Sequence, residues 1–166
     1  MKYVRPTSFI LLLIIGITIA ITFPETRSLS QSQMVEVNNL PDVFIKAGKT
    51  NTIAIPFQIK YGYHIQADTV NDPNLIAAEL TFENIEGIDP GKLDYPDYHE
   101  FQLNGTDEKL LVFDGSILIK VDISASATLA KGHYLLPGSL YYQACDSSRC
   151  LFPRKVNFQL PIEVSN

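Results

Sequence analysis

Cys145 and Cys150 are the only cysteines in this chain of 166 residues, and they lie in the run Tyr141-Tyr142-Gln143-Ala144-Cys145-Asp146-Ser147-Ser148-Arg149-Cys150-Leu151-Phe152-Pro153. Where disulfides persist, two thiols this close in sequence make either a local staple or a couple that cycles between dithiol and disulfide. A loop this short removes little chain entropy on closure, about 2 kcal/mol, so the pair is a modest staple. Short loops also store strain readily, and strained or exposed disulfides are the labile ones. Arg149, Arg154 and Lys155 favour a nearby thiolate while Asp146 opposes it, so the charges point to no strongly activated nucleophile.

The compartment decides whether a disulfide can last. Lys2 and Arg5 precede an apolar run from Phe9 to Phe23, which Pro24-Glu25 ends. A basic start followed by such a run reads as a secretory signal, and at this length it falls short of the roughly 20 residues of a comfortable membrane span. Residues 1–30 are therefore expected to be a signal peptide or an uncleaved anchor to the inner membrane through residues 9–23. Either places residues 31–166 outside the cytoplasm as a single domain. With 18 Asp and Glu against 13 Lys and Arg, and a net charge of −5, the chain is a poor partner for nucleic acid or anionic lipid.

The elements that must hold the cysteines read as strands. Apolar and polar residues alternate over Thr52–Tyr61, Leu110–Phe113 and Ser116–Ile123, and further strands are expected at Met34–Val37, Val43–Lys46, Leu75–Glu83, Tyr134–Ala144 and Lys155–Val164. Turn signals fall at Ala47-Gly48-Lys49, Asn71-Asp72-Pro73-Asn74, Asp89-Pro90-Gly91, Asn104-Gly105-Thr106-Asp107 and Leu136-Pro137-Gly138, and Asp114-Gly115 reads as a hairpin turn. Only Asp122–Lys131 offers even one helical turn. About seven or eight short strands so punctuated predict an all-β, antiparallel β-sandwich. The chain has no Trp, and cysteines this close cannot bridge two sheets as in an antibody domain.

Several segments then carry a resemblance. Gly62-Tyr63-His64-Ile65, Asn71-Asp72-Pro73-Asn74-Leu75-Ile76, Tyr95-Pro96, Gly132-His133-Tyr134, Leu140 to Cys145 and Cys150-Leu151-Phe152-Pro153-Arg154 follow one another between Val43 and Val164. This stretch resembles the N-terminal periplasmic domain of the thiol:disulfide interchange protein DsbD. The resemblance implies an immunoglobulin-like sandwich in which Cys145 and Cys150 exchange electrons between a thioredoxin-like donor and periplasmic disulfide proteins, with no cofactor. It implies a shielding loop at Tyr98, His99, Glu100 and Phe101, with Phe101 or Tyr98 as the covering aromatic, and site-flanking roles for Tyr142, Gln143, Arg149 and Pro153. It favours Cys150 as the sulfur attacked by the donor. The family's best-known members place five residues between the cysteines where this chain has four. The family's membrane conduit and thioredoxin-like domain are not encoded in these residues, so the expected protein-disulfide reductase module depends on a separate donor.

Other constellations carry less. His64, His99 and His133 lie far apart without metal-ligand spacing and read as surface or edge-strand residues, and no metal site is expected. Tyr141 and Tyr142 point to opposite faces of one strand, one into the core and the other toward the cysteine site. Ser147 and Ser148 lack the Gly-x-Ser-x-Gly setting of a hydrolase, and Asn104-Gly105-Thr106 reads as a turn. A second reading keeps the disulfide as a permanent loop clamp in a non-catalytic sandwich that binds another protein.

Overall fold

The computed structural model describes residues 33–166, so the expected signal or anchor over residues 1–30 lies outside the described residues. Strands account for all regular structure there: β1 (Val35–Val37), β2 (Val43–Lys46), β3 (Thr50–Ile59), β4 (His64–Gln66), β5 (Glu79–Phe82), β6 (Ile88–Asp94), β7 (His99–Gln102), β8 (Lys109–Asp114), β9 (Ser116–Ala125), β10 (Gly132–Tyr142), β11 (Ala144–Cys145) and β12 (Arg154–Ser165). Among the described residues no helix is long and apolar enough to cross a membrane.

Side chains alternate sides along a strand, and the long strands use this to fill one core. Strand β9 buries Ile117, Ile119, Val121, Ile123 and Ala125, and β12 buries Val156, Phe158, Leu160, Ile162 and Val164. Two four-stranded sheets, β1-β3-β9-β6 and β2-β12-β10-β5, contribute to that core. Phe57 of the first meets Phe158 of the second edge-on, with ring centroids 6.0 Å apart. The fold is the expected immunoglobulin-like sandwich, antiparallel except where β2 runs parallel to β12.

Local sequence signals mislead at five places. Leu136-Pro137-Gly138, expected as a turn, lies inside β10, where glycine is favoured at 138 because a Cβ would run into the ring of Phe158. Asp89-Pro90-Gly91 also lies within a strand, where Pro90, registered with Ile123, is the last paired residue before an irregularity in the β6–β9 ladder and sits on an edge strand, which tolerates proline. Asp114-Gly115 is not a hairpin turn: β8 and β9 belong to different sheets, and Gly115, at φ 61°, swings the chain from one to the other. The Asp122–Lys131 stretch continues β9 to Ala125 and then makes a turn closed by the Leu129 N–H on the Ser126 carbonyl, with no helix. The strand expected over Leu75–Glu83 is confined to Glu79–Phe82.

A third sheet, β11-β4-β8-β7, positions the cysteines. Its back face, through Ile65, Phe113 and Ala144, joins the sandwich core. Its front face is set by register: Cys145 is opposite His64, His64 opposite Asp114, Gln66 opposite Val112, Val112 opposite His99, and Leu110 opposite Phe101. Directly opposed residues share a face, so Cys145, His64, Gln66, Leu110, Val112, Asp114, His99 and Phe101 stand together on one side. This explains why β4 is buried at all three positions: Ile65 serves the core, while His64 and Gln66 serve the front.

Candidate functional site

Cys145 and Cys150 are joined in a disulfide with Cα atoms 3.9 Å apart. The bridge spans the two arms of a tight hairpin. The Leu151 N–H donates to the Ala144 carbonyl at 2.7 Å on one side, and the Asp146 N–H donates to the Arg149 carbonyl at 2.9 Å on the other. The cysteines thus form a non-hydrogen-bonded pair, the position at which opposed side chains come closest. Asp146 holds the loop: its Oδ1 accepts from the Ser148 N–H at 2.8 Å, the Ser148 hydroxyl at 2.8 Å and the Arg149 N–H at 3.0 Å. The Ser148 N–H bond above all lowers the Asp146 carboxyl below its ordinary value.

The two sulfurs differ in access. Cys145 is 0% exposed, while Cys150 is only partly buried. Around Cys145 close Leu103, Leu110 and Val112, with Leu75, Phe101 and Cys150 packed against them. The Phe101 ring also lies over His64, centroids 3.9 Å apart. The tip of the β7–β8 hairpin is tied to the cysteine loop by the Asn104 N–H, which donates to the Ser147 carbonyl at 2.9 Å.

The expected shielding segment is therefore largely a strand: His99, Glu100 and Phe101 lie in β7, an edge strand paired only with β8. Phe101 belongs to the apolar cluster of the cysteines, whereas Tyr98, just before β7, stands 48% exposed and outside it. His99 faces Asp114 at 3.5 Å and Glu100 faces Lys109 at 2.9 Å. Both pairs are exposed, and such pairs contribute little to stability.

The flanking residues separate by role. Gln143 bridges two segments beside the site, accepting from the Ile76 N–H at 2.9 Å and donating to the Leu151 carbonyl at 3.2 Å. Arg149 is largely exposed, with Nε 3.8 Å from Asp146 Oδ2. Pro153 sits partly buried in the connection to β12. Tyr142 belongs to the sandwich core rather than the cysteine cluster, and its hydroxyl oxygen accepts from the Met34 N–H at 3.3 Å.

Two residues that bear on the sulfurs escape sequence reading. Gln66, 0% exposed, directs its amide Nε2 to Cys145 Sγ at 3.3 Å and Cys150 Sγ at 3.7 Å. His64 is not the surface or edge-strand residue that its spacing implies: it lies on β4, between β11 and β8, is 5% exposed, and burial lowers its pKa. Gln66 Oε1 and His64 Nε2 are buried without a hydrogen-bond partner among the described residues. Each such atom costs about 1–3 kcal/mol, a cost that sandwich packing does not require. Among the described residues no cluster of three or more His, Cys, Asp or Glu side chains gathers to hold a metal.

Residues 31–162 match the family model for the thiol:disulfide interchange protein DsbD, N-terminal. The chain belongs to the DsbD N-terminal family. Similar solved structures include the DsbD N-terminal domain of Neisseria meningitidis in its reduced form, at 13% identity and TM-score 0.44, covering 69% of this chain and 79% of that one. The N-terminal periplasmic domain of ScsB from Proteus mirabilis is 12% identical with TM-score 0.48, over 71% of this chain and 42% of that one. A family 123 glycoside hydrolase from Clostridium perfringens gives 11% identity and TM-score 0.40, over 76% of this chain and 22% of that one. No curated protein matches the sequence. The DsbD N-terminal family and the Cys145–Cys150 disulfide together fit a thiol:disulfide exchange module.

Proposed function

We propose that this domain relays electrons outside the cytoplasm, its Cys145–Cys150 disulfide taking two electrons from a thioredoxin-like dithiol donor and passing them to exported disulfide proteins. The observation that carries this reading is the asymmetry of the bridge, with Cys145 sealed beneath the third sheet's front face and Cys150 at its edge. A donor thiolate attacks Cys150 Sγ, the S–S bond breaks, and its electron pair remains on Cys145 Sγ. The donor's second thiolate then resolves the mixed disulfide. The donor leaves oxidised and the pair becomes a dithiol, which reduces the next substrate by the same steps in reverse.

Exposed aromatics beside the bridge suit the docking of such a protein. Phe152, two residues beyond Cys150, is 90% exposed, and Tyr61 lines an open hollow with His64, Phe101 and Ser147. The competing reading, a permanent clamp, draws on the three hydrogen bonds by which Asp146 stabilises the loop.

The reduction potential of the couple separates the two. A relay requires a value above about −300 mV, and one well below it marks a structural bridge. In parallel, a Cys145→Ser chain whose Cys150 has first been converted to its mixed disulfide with thionitrobenzoate is expected to exchange it for a mixed disulfide with a thioredoxin whose resolving cysteine has been removed, releasing thionitrobenzoate. A Cys150→Ser chain is expected to trap far less. Equal trapping by both would reject the assigned polarity.

A further inference from the structure

Resting on the exchange reading above, we infer that Gln66 is a catalytic residue that stabilises Cys145 Sγ as the leaving sulfur and thereby directs the incoming thiolate to Cys150. When a thiolate bonds to Cys150 Sγ and the S–S bond breaks, a full negative charge arrives on Cys145, a sulfur with no exposure to solvent. Water cannot solvate it there, so a fixed dipole must. The Gln66 amide N–H is the side-chain donor already in place, 3.3 Å from Cys145 Sγ against 3.7 Å from Cys150 Sγ.

The amide is held for this task. Gln66 lies on the front face of β4, and its backbone N–H is bound to the Gln143 carbonyl at 3.0 Å, in the residue between β10 and β11. Position 66 is thus fixed to the strand that carries Cys145. Turned the other way, the amide would aim a carbonyl oxygen at both sulfurs and repel the charge. In the orientation present, Oε1 has no partner among the described residues. Once Cys145 is protonated, a half-turn of the amide about its last bond would present Oε1 to the thiol S–H, so one side chain can serve either protonation state. A disulfide sulfur is a weak acceptor, so the N–H bond strengthens as charge develops, which is the requirement for a contact that accelerates the step.

The test uses the full chain and dithiothreitol as the reducing dithiol. Gln66→Met removes the donor at similar volume, and Gln66→Glu places negative charge beside the sulfurs. Gln66→Met is expected to slow reduction about tenfold, the scale of one charge-assisted hydrogen bond, and to move the ionisation of the Cys145 thiol, followed by its thiolate absorbance in a Cys150→Ser background, to higher pH by about one unit. Gln66→Glu is expected to exceed both effects. The pH profile is read with the other titratable groups about the pair in view, His64, His99 and Asp114 on the same face and Asp146 and Arg149 in the loop. A Gln66→Met chain with wild-type rate and profile overturns the assignment while leaving the relay reading intact. A wild-type disulfide that resists the dithiol overturns both. Should the variants fail to fold, the side-chain amide resonance of Gln66 in reduced wild-type protein decides: it must shift with the Cys145 titration, and an amide blind to that titration overturns the role.

Discussion

The ring of Phe101 lies over that of His64 with centroids 3.9 Å apart, and His64 is the cross-strand partner of Cys145. Two strands separate β7 from β11 in the sheet, yet Phe101 packs against the cluster that holds Cys145, and the Asn104 N–H ties the β7–β8 loop to the Ser147 carbonyl of the cysteine loop. Phe101→Ala is expected to speed reduction by dithiothreitol on the order of three- to tenfold, since access limits attack on a covered sulfur. The ring is partly exposed, so the loss of stability should be about 1–2 kcal/mol. Stopped-flow reduction beside a urea melt measures both. An unchanged rate would show that the ring is not the cover.

Asp146 governs the loop through its carboxylate. Because its folded value is lowered, mainly by the Ser148 N–H, its contribution is fully present above the unfolded carboxylate value and disappears as pH falls through the folded one. Asp146→Asn is therefore expected to be less stable than wild type at neutral pH, with the gap closing in acid. Urea midpoints for both chains at about pH 7 and about pH 3 check the sign, and a gap that widens in acid would contradict it.

Gln143 joins the segment at Ile76 to the cysteine hairpin at Leu151. Replacing it with alanine strands one N–H and one carbonyl, so Gln143→Ala is expected to cost about 1–3 kcal/mol. The protection of the Ile76 amide against hydrogen exchange should fall with it. Retained protection would mean that another group satisfies that amide.

Gly138 sits under Phe158, itself edge-on to Phe82 and Phe57. Gly138→Ala forces this aromatic group apart and should lower stability by about 1–3 kcal/mol. The reduction rate of the disulfide should stay at its wild-type value, because the strain arises in the sandwich core. Thermal unfolding and the same dithiol assay read the two effects separately, and a changed rate would link the core to the site.

Strands whose two faces meet different solvents were legible. β3, β9 and β12 alternate over ten residues or more, and their period of two is plain in the letters. Strands β4 and β7 were not. At β4 all three positions are buried, and His64 and Gln66, polar residues on either side of Ile65, give no apolar alternation to read, because their burial comes from the cysteine side of the third sheet. At β7 the run His99-Glu100-Phe101-Gln102 borrows its regularity from β8, so what looked like a loop is an edge strand. Proline and glycine misled at β10 for a related reason. Pro137 falls one residue beyond the part of β10 that β5 pairs, and its carbonyl is taken by the Glu83 N–H, so its missing N–H breaks no continuing ladder. Of the site, the cysteines were readable from residue type and order, and Phe101 only through the family resemblance, which left Tyr98 beside it as an equal choice. Gln66 was not, because an amide becomes notable only when tertiary contact brings it to a sulfur 79 positions away.

The third sheet presents one face to the large sandwich core and the other to the small cluster of Leu103, Leu110, Val112 and Cys145. It passes to the sandwich through single residues, Gly115 after β8 and Gln143 before β11. Unequal clusters on two faces of one sheet make a hierarchy of opening: the β7 edge can detach while Phe113 and Ile65 stay anchored behind it. Amide protons of β7 should therefore exchange through local fluctuations, while those of β9 and β12 exchange only when the whole domain unfolds. A front that breathes over a back that does not would let a partner reach the sulfurs without the protein ever risking its fold.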